Sequence, residues 1–226
     1  MKARVARYHV REELQRRILS GESKAGERLT QQSLAKELGV AQGTVRESLF
    51  ELEWLGLVES VERLGVFVGN LDAARICEAY YVREVLEGLG ARLTCGHAGR
   101  ADVAGLRTMA DNILQLAQQG KEEEMGALDR NLHLQIIELS RNNILVRLAE
   151  TYRVLGMTVR ASRDAETIHQ EHIRIIEAIE HNFPDEAERL ARLHVAGARK
   201  AIEIQVAEGV FSPKLVGVAT PSSGVS

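Results

Sequence analysis

The sequence predicts a mainly α protein: a winged helix-turn-helix of three helices and a β-hairpin, followed by an antiparallel bundle of about six helices. Three observations carry this. The stretch GVAQGTVRESLFELEWLGLVE, from Gly39 to Glu59, breaks one short helix and restarts another with an apolar stripe at Val45, Leu49, Leu52 and Leu55. Directly after it, LVESVERLGVFVG holds two short β-prone runs around a turn at Arg63-Leu64-Gly65. From Leu71 onward apolar residues recur at three- and four-residue spacing, with no further strand pattern.

Taken in order, Val5 to Ser20 reads as a helix that buries Val10, Leu14, Ile18 and Leu19, and Gly21 ends it. SKAGERL reads as a loop. Thr30 is placed to cap a helix over Gln31–Leu38, which Gly39 terminates. A third helix is predicted from about Gln42 to Leu55, then strands over Leu57–Val61 and Val66–Val68. The bundle helices are predicted at 71–97, 100–119, 121–140, 143–161, 164–182 and 184–208, with Pro184 in the first turn of the last. The parts are therefore 1–70, 71–211 and a tail, 212–226, expected to be disordered because it is rich in small residues.

Composition narrows the function classes. Of 226 residues 45% are hydrophobic and 27% charged, enough to bury a core, while 4% aromatic content and 3 prolines favour helices over a β-sandwich. No apolar run approaches the roughly 18 residues of a membrane span. The opening MKARVARYHVREEL lacks the apolar core of a secretory leader. Cys77 and Cys95 are too few for a disulfide framework and read as small buried hydrophobes, so a reduced, cytoplasmic location is expected. Net charge is −3, with residues 1–70 at +1 and the remainder at −4. Binding to DNA would therefore rest on placed cations rather than bulk charge.

A recognition helix presents its N-terminal end to the major groove. Gly43 there permits close backbone approach, Thr44 can donate to a phosphate, and Arg46 can reach a guanine edge or a phosphate. Gln42 can read adenine or face solvent. Arg63, at the wing tip, can enter the minor groove or meet a phosphate, or it is a solvated charge.

The second part carries a different pattern. Asp129 and His133 are four apart and share a helix face that continues through Ile136 and Ile137. His172 lies on the stripe Ile168, Ile175, Ile179, with His169 as its rival, and His194 follows Leu190 on the last helix. Polar residues on apolar faces of three helices are expensive to bury separately; converging on one divalent cation satisfies them together. Hydrogen-bonded core histidines are the alternative. One carboxylate with three imidazoles suits Zn²⁺, Ni²⁺, Mn²⁺ or Fe²⁺.

Residues 5–70 resemble the DNA-binding domain of the GntR family of bacterial regulators, through LAKELGV (34–40), VRESLFELEWLGLVE (45–59) and Gly65 before Val66-Phe67-Val68. That resemblance implies DNA contacts from Arg46 and the Gly65 wing, and places Gln32 where some members carry arginine. Where the family usually has Ser or Thr and then Arg, this chain has Ala41 and Gln42, which removes an N-cap and a cation. The second part resembles the FCD ligand domain of FadR-like members, through Asp129-x3-His133, Glu171-His172-x2-Ile175 and Arg192-Leu193-His194. This implies a metal held by Asp129, His133, His172 and His194. It also implies a small carboxylate effector paired with Arg83, and a pocket role for Asn143. An ion pair of Arg83 with Glu87 and helix capping by Asn143 are the alternatives.

The expected function is a metal-containing, effector-responsive DNA-binding transcription regulator. It is expected to bind a palindromic operator as a homodimer and to act as a repressor released by a carboxylate metabolite (sugar acid, hydroxy acid or dicarboxylate). The rival readings are a constitutive regulator with a structural metal and a metalloenzyme, the latter disfavoured because no acid or base is clearly placed beside the metal.

Overall fold

The computed structural model describes residues 2–70, 72–156 and 163–211. They form two compact units, the first ending at Asp72 and the second beginning at Ala73.

In the first unit, α1 (Lys2–Leu19) buries Val10, Leu14, Ile18 and Leu19, the four residues its periodicity selects. Its outer face is tied by Glu13, which accepts from Arg16 Nε at 2.9 Å and Arg17 Nε at 2.7 Å. Helix α2 (Gln31–Leu38) ends at Gly39 in the left-handed region (φ 65°), whose amide donates back to Ala35 O. Thr30 occupies the N-cap position in extended conformation, yet its side chain makes no cap hydrogen bond. Helix α3 (Gln42–Trp54) packs Val45, Leu49 and Leu52 into the core.

The segment SKAGERL is not all loop. It contains a two-residue strand β1 (Arg28–Leu29), which pairs antiparallel with β3 (Gly65–Val68). Strand β2 (Val58–Val61) pairs with the other edge of β3, giving a sheet in the order β1-β3-β2. Two residues are too few to display the period-two alternation that marks a strand in sequence. At the wing turn Arg63 has φ 64° and Gly65 φ 115°, and the second value is one that residues with a Cβ rarely adopt.

The second unit is all helical among the described residues: α4 (Ala73–Thr94), α5 (Arg100–Gln118), α6 (Glu122–Leu139), α7 (Asn143–Gly156), α8 (Ala165–Glu180) and α9 (Pro184–Ala207). The predicted bundle is observed, with ends drawn in by a few residues. Residues 157–161 of the predicted fourth bundle helix, and the 212–226 tail, lie outside the described residues. Pro184 opens α9, and Asp164 caps α8 by accepting from the Thr167 amide at 2.8 Å. Helix α7 is capped by Asn142, whose Oδ1 accepts from the amides of Ile144 and Leu145. The capping role considered for Asn143 belongs to its neighbour.

Leu106, Leu132, Ile136, Ile175, Ile176 and Ile179 form the centre of the bundle core. Helix α4 lies close on α6: a Cβ added at Gly90 would stand 2.7 Å from Ile137 Cγ1, and Thr94 Oγ1 donates to Ile136 O at 2.6 Å. A second cluster of Ile76, Tyr80, Val195 and Ile202 joins α4 to α9. No described helix is long and apolar enough to cross a membrane.

The hydrogen bond from Arg16, seconded by Arg17, lowers the Glu13 pKa from 4.5 to about 2. Because the folded value is depressed, the stabilisation is complete above pH 4.5 and is lost as pH falls toward 2. Glu13→Gln should cost about 1 kcal/mol at pH 6. In urea titrations the gap from wild type should shrink between pH 4.5 and 3; a gap independent of pH would contradict this account.

Candidate metal centre and nucleic-acid interface

Three helices of the bundle each turn one imidazole inward. His133 on α6, His172 on α8 and His194 on α9 are 8%, 0% and 6% exposed. Their ring centroids lie 4.6–5.2 Å apart, and one ligating nitrogen from each falls within 4.8 Å of the others. Asp129, one turn before His133, completes the group. Its Oδ1 is 3.4 Å from His172 Nε2 and its Oδ2 3.9 Å from His133 Nε2. The structure thus brings together all four residues of the predicted ligand set.

His169, the rival of His172, faces elsewhere and bonds Asp111 Oδ1 at 2.8 Å. The stripe of Ile168, Ile175 and Ile179 decides between the two, because only His172 shares its phase.

Electrostatics separate the three rings. Burial, reinforced by His194 and His133, pushes the His172 pKa far down, so that ring is neutral. Burial also lowers His194, despite the opposing Glu171 carboxylate. Burial acts the same way on His133, but Glu87 beside it prevails and its pKa rises. A divalent ion held here would compete with a proton at His133 more than at the other two.

His172 supplies the test of fit. Both its ring nitrogens are buried without a hydrogen-bond partner among the described residues. An unpaired buried nitrogen costs about 1–3 kcal/mol, and a cation held at one of the two, among three neutral nitrogens and a carboxylate, would remove that cost there. The donor set therefore fits a divalent transition metal.

Arg83 on α4 is largely buried, stacks on the Tyr80 ring at 4.6 Å, and gives Nε and Nη2 to Glu87 Oε1, each at 2.8 Å. Burial would lower its pKa, but Glu87 keeps the guanidinium firmly charged. Asn143 is exposed at the start of α7.

In the first unit, Gln32, Gln42, Gly43, Arg46 and Arg63 are exposed and Thr44 is half-buried. Gly43 and Arg46 of α3 line one open groove with Ser60 and Val66 of the wing strands. Ala41 provides no side-chain cap for the amides of Gln42 and Gly43, while that of Thr44 donates to Ala41 O. Ser48, fully buried, has Thr44 O at 3.0 Å and Arg7 O at 3.1 Å as acceptors for its single hydroxyl proton. A Cβ at Gly43 would meet nothing within 4 Å, whereas one at Gly65 would stand 3.1 Å from Arg28 Nε.

That contact reveals a wing cation which sequence reasoning missed: Arg28 of β1 is exposed and lies over Gly65. Its signal was hidden with the strand that carries it. Phe50 and Trp54, four apart on α3, are 69% and 75% exposed.

A winged helix-turn-helix followed in the same chain by an all-helical second unit is the architecture of a two-part DNA-binding transcription regulator. Residues 6–68 match the family described as bacterial regulatory proteins, gntR family, and residues 78–197 match the FCD domain. The chain belongs to the GntR family, in the group that carries an FCD domain.

It is 29% identical over 190 residues to the uncharacterized HTH-type transcriptional regulator YdhC of Bacillus subtilis, covering 80% of this chain and 84% of that one. It is 28% identical to a probable D-xylose utilization operon transcriptional repressor of Paenarthrobacter nicotinovorans, over 83% of this chain and 84% of the relative. It is 27% identical to the Glc operon transcriptional activator of Escherichia coli, over 88% and 90%. Among solved structures, E. coli McbR/YncC shares the fold with a TM-score of 0.71 at 20% identity, covering 89% of this chain and 98% of that one. The family and these relatives are regulators, not enzymes.

Replacing His172 by leucine removes two unpaired buried nitrogens at similar volume. Metal-free His172→Leu should melt no lower than wild type, and higher by up to about 1 kcal/mol of stability. Added Zn²⁺ or Ni²⁺ should raise the melting temperature of wild type but not of the variant. A metal-dependent rise retained in the variant would remove His172 from the ligand set.

Proposed function

We propose that this chain is a metal-containing, effector-responsive regulator that binds a palindromic operator as a homodimer and releases it when a small carboxylate joins the metal. The observation carrying the metal reading is the His172 ring, buried with both nitrogens unpartnered between His133, His194 and Asp129. When bound, a divalent ion would supply an open position for an anionic oxygen, and Zn, Ni, Mn and Fe all suit the donor set.

Charge supports an acid as the effector. Around the three rings stand Arg83 and Arg163 against Glu87, Glu171 and Asp129, one net negative charge. A divalent ion makes that one net positive charge inside a low-dielectric bundle, which favours an anion. Sugar acids, hydroxy acids and dicarboxylates have this chemistry. Arg83 is the residue of this chain proposed to pair with the acid through its planar fork, and Asn143 is proposed to line the pocket.

For DNA, we assign the α3 end (Gln42, Gly43, Thr44, Arg46), Gln32 and the wing (Arg63, Gly65) to the operator, and add Arg28. Helix α4, which carries Arg83 and Glu87, is separated from the end of β3 by four residues, so a bundle rearrangement has a short covalent path to the wing. A two-fold operator calls for two copies of the reading head. One relative is named as a repressor and another as an activator; release by the acid is the direction the family resemblance favours.

Gly43 separates folding from reading. Gly43→Ala adds a methyl to open space within a helix, so thermal stability should hold or rise by about 0.5–1 kcal/mol. Operator affinity, read by anisotropy of a labelled duplex recovered by selection from random DNA, should fall, and Arg46→Ala should cost about 1–3 kcal/mol of binding. Unchanged affinity in both variants would unseat α3 as the reading helix.

Elemental analysis of the purified chain, followed by operator titration with a panel of carboxylic acids, tests the sensor. Stoichiometric metal and one acid that weakens operator binding are expected. A metal with no response to any acid would favour a structural ion.

A further inference from the structure

Two carboxylates that are not in the ligand set stand directly behind the histidines. Glu171 on α8 places Oε2 2.7 Å from His194 Nδ1, while its Oε1 takes Arg163 Nη2 at 2.5 Å. Glu87 on α4 places Oε2 3.1 Å from His133 Nδ1, while its Oε1 takes Arg83. The same chain of groups, guanidinium to carboxylate to imidazole, is therefore built twice from unrelated segments. The Glu87 arm is less well aligned: its Oε2 lies within contact distance of the ring but makes no directed hydrogen bond.

Both arms meet the ring at Nδ1. A neutral imidazole carries one proton, and its location is set by the partner of either nitrogen. A carboxylate at Nδ1 holds the proton there and leaves Nε2 as the lone-pair atom. The positions agree, since Asp129 faces the Nε2 side of His133. His172, by contrast, has no carboxylate at Nδ1, and its Nε2 is the atom nearest Asp129. His194 is thus preset by a hydrogen bond, His133 has a carboxylate at contact distance on the same atom, and His172 has neither.

The arginines explain why the glutamates stay in the supporting role. A bare buried carboxylate this close to three imidazoles would compete for the cation. Arg83 and Arg163 each occupy one oxygen and balance its charge. Arg163 also reaches the His194 carbonyl at 3.4 Å, which ties the Glu171 arm to the backbone of α9.

We infer that Glu87 and Glu171 are positioning residues for the metal centre, fixing the Nδ1–H tautomer of His133 and His194 so that Nε2 faces the ion, with Arg83 and Arg163 holding each carboxylate in place. This rests on the metal reading above.

The test titrates the metal-stripped full chain with Co²⁺, reading affinity by competition with a chelator and coordination by the visible absorption band. Glu171→Gln should weaken Co²⁺ binding about 10- to 100-fold and shift the band, with metal-free melting near wild type because Glu171 is partly exposed. Glu171→Asp, which keeps the charge, should recover part of the affinity. Glu87→Gln should behave alike where it folds; Glu171→Gln decides alone where it does not. Wild-type affinity and an unmoved band in Glu171→Gln would overturn the inference, as would lost stability with normal Co²⁺ binding. Wild-type protein that takes up no Co²⁺ would overturn the metal reading beneath it.

Discussion

An imidazole buried among isoleucines must have its nitrogens satisfied, and the second unit is organised around that requirement. His172 is fully buried on the same helix face as Ile175 and Ile179. Burial and the neighbouring rings disfavour its charged form, and neither nitrogen has a hydrogen-bond partner among the described residues. Helices α6 and α9 bring one further ring each to the same point, and α4, close on α6 at Gly90, brings Glu87. A bundle held only by its aliphatic core would tolerate small rotations of these helices. With the proposed ion in place, ligands from α6, α8 and α9 would tolerate far fewer, which is how a site a few ångströms across would govern the register of three helices.

The first unit solves a different problem. A DNA-binding face needs cations, and this unit is only marginally positive. The structure shows where its charge is spent: Arg7, Arg11, Arg16 and Arg17 of α1 are all engaged by glutamates of the same unit. Arg7 and Arg11 brace α1 against α3 and Arg17 braces it against α2, while Arg16 pairs with Glu13 of the same helix and Glu22 just beyond it. No ion pair engages Arg28 or Arg46 among the described residues, and Arg63 is 89% exposed beside Glu62. A count over the chain hides this division, because net charge does not distinguish a brace from a contact.

Much of this was legible in the sequence, and the physics shows why. Helix extents follow from apolar periodicity and from Gly39, whose left-handed conformation few other residues accept. Asp129 and His133 could be paired because four residues is one helical turn, and His172 chosen over His169 because only one shares the phase of the isoleucines. What escaped depends on contacts through space. Strand β1 exists because β3 offers it an edge, and Arg28 came with it. Thr30 has the right type and conformation for a cap, yet its oxygen points elsewhere. Asn142 rather than Asn143 caps α7, a one-residue choice that periodicity does not resolve. Glu87 reads as an ion-pair partner of Arg83, and Glu171 only as part of the Glu171-His172-x2-Ile175 motif, until the fold places them behind His133 and His194.

Trp54 closes α3 with its indole 75% exposed, and it is the single tryptophan of the chain. All indole emission therefore originates in the DNA-binding unit, and the bundle is silent at that wavelength. The protein carries its own optical label on the helix read here as the DNA reader, so events at that helix can be followed separately from events at the histidine centre without attaching a dye.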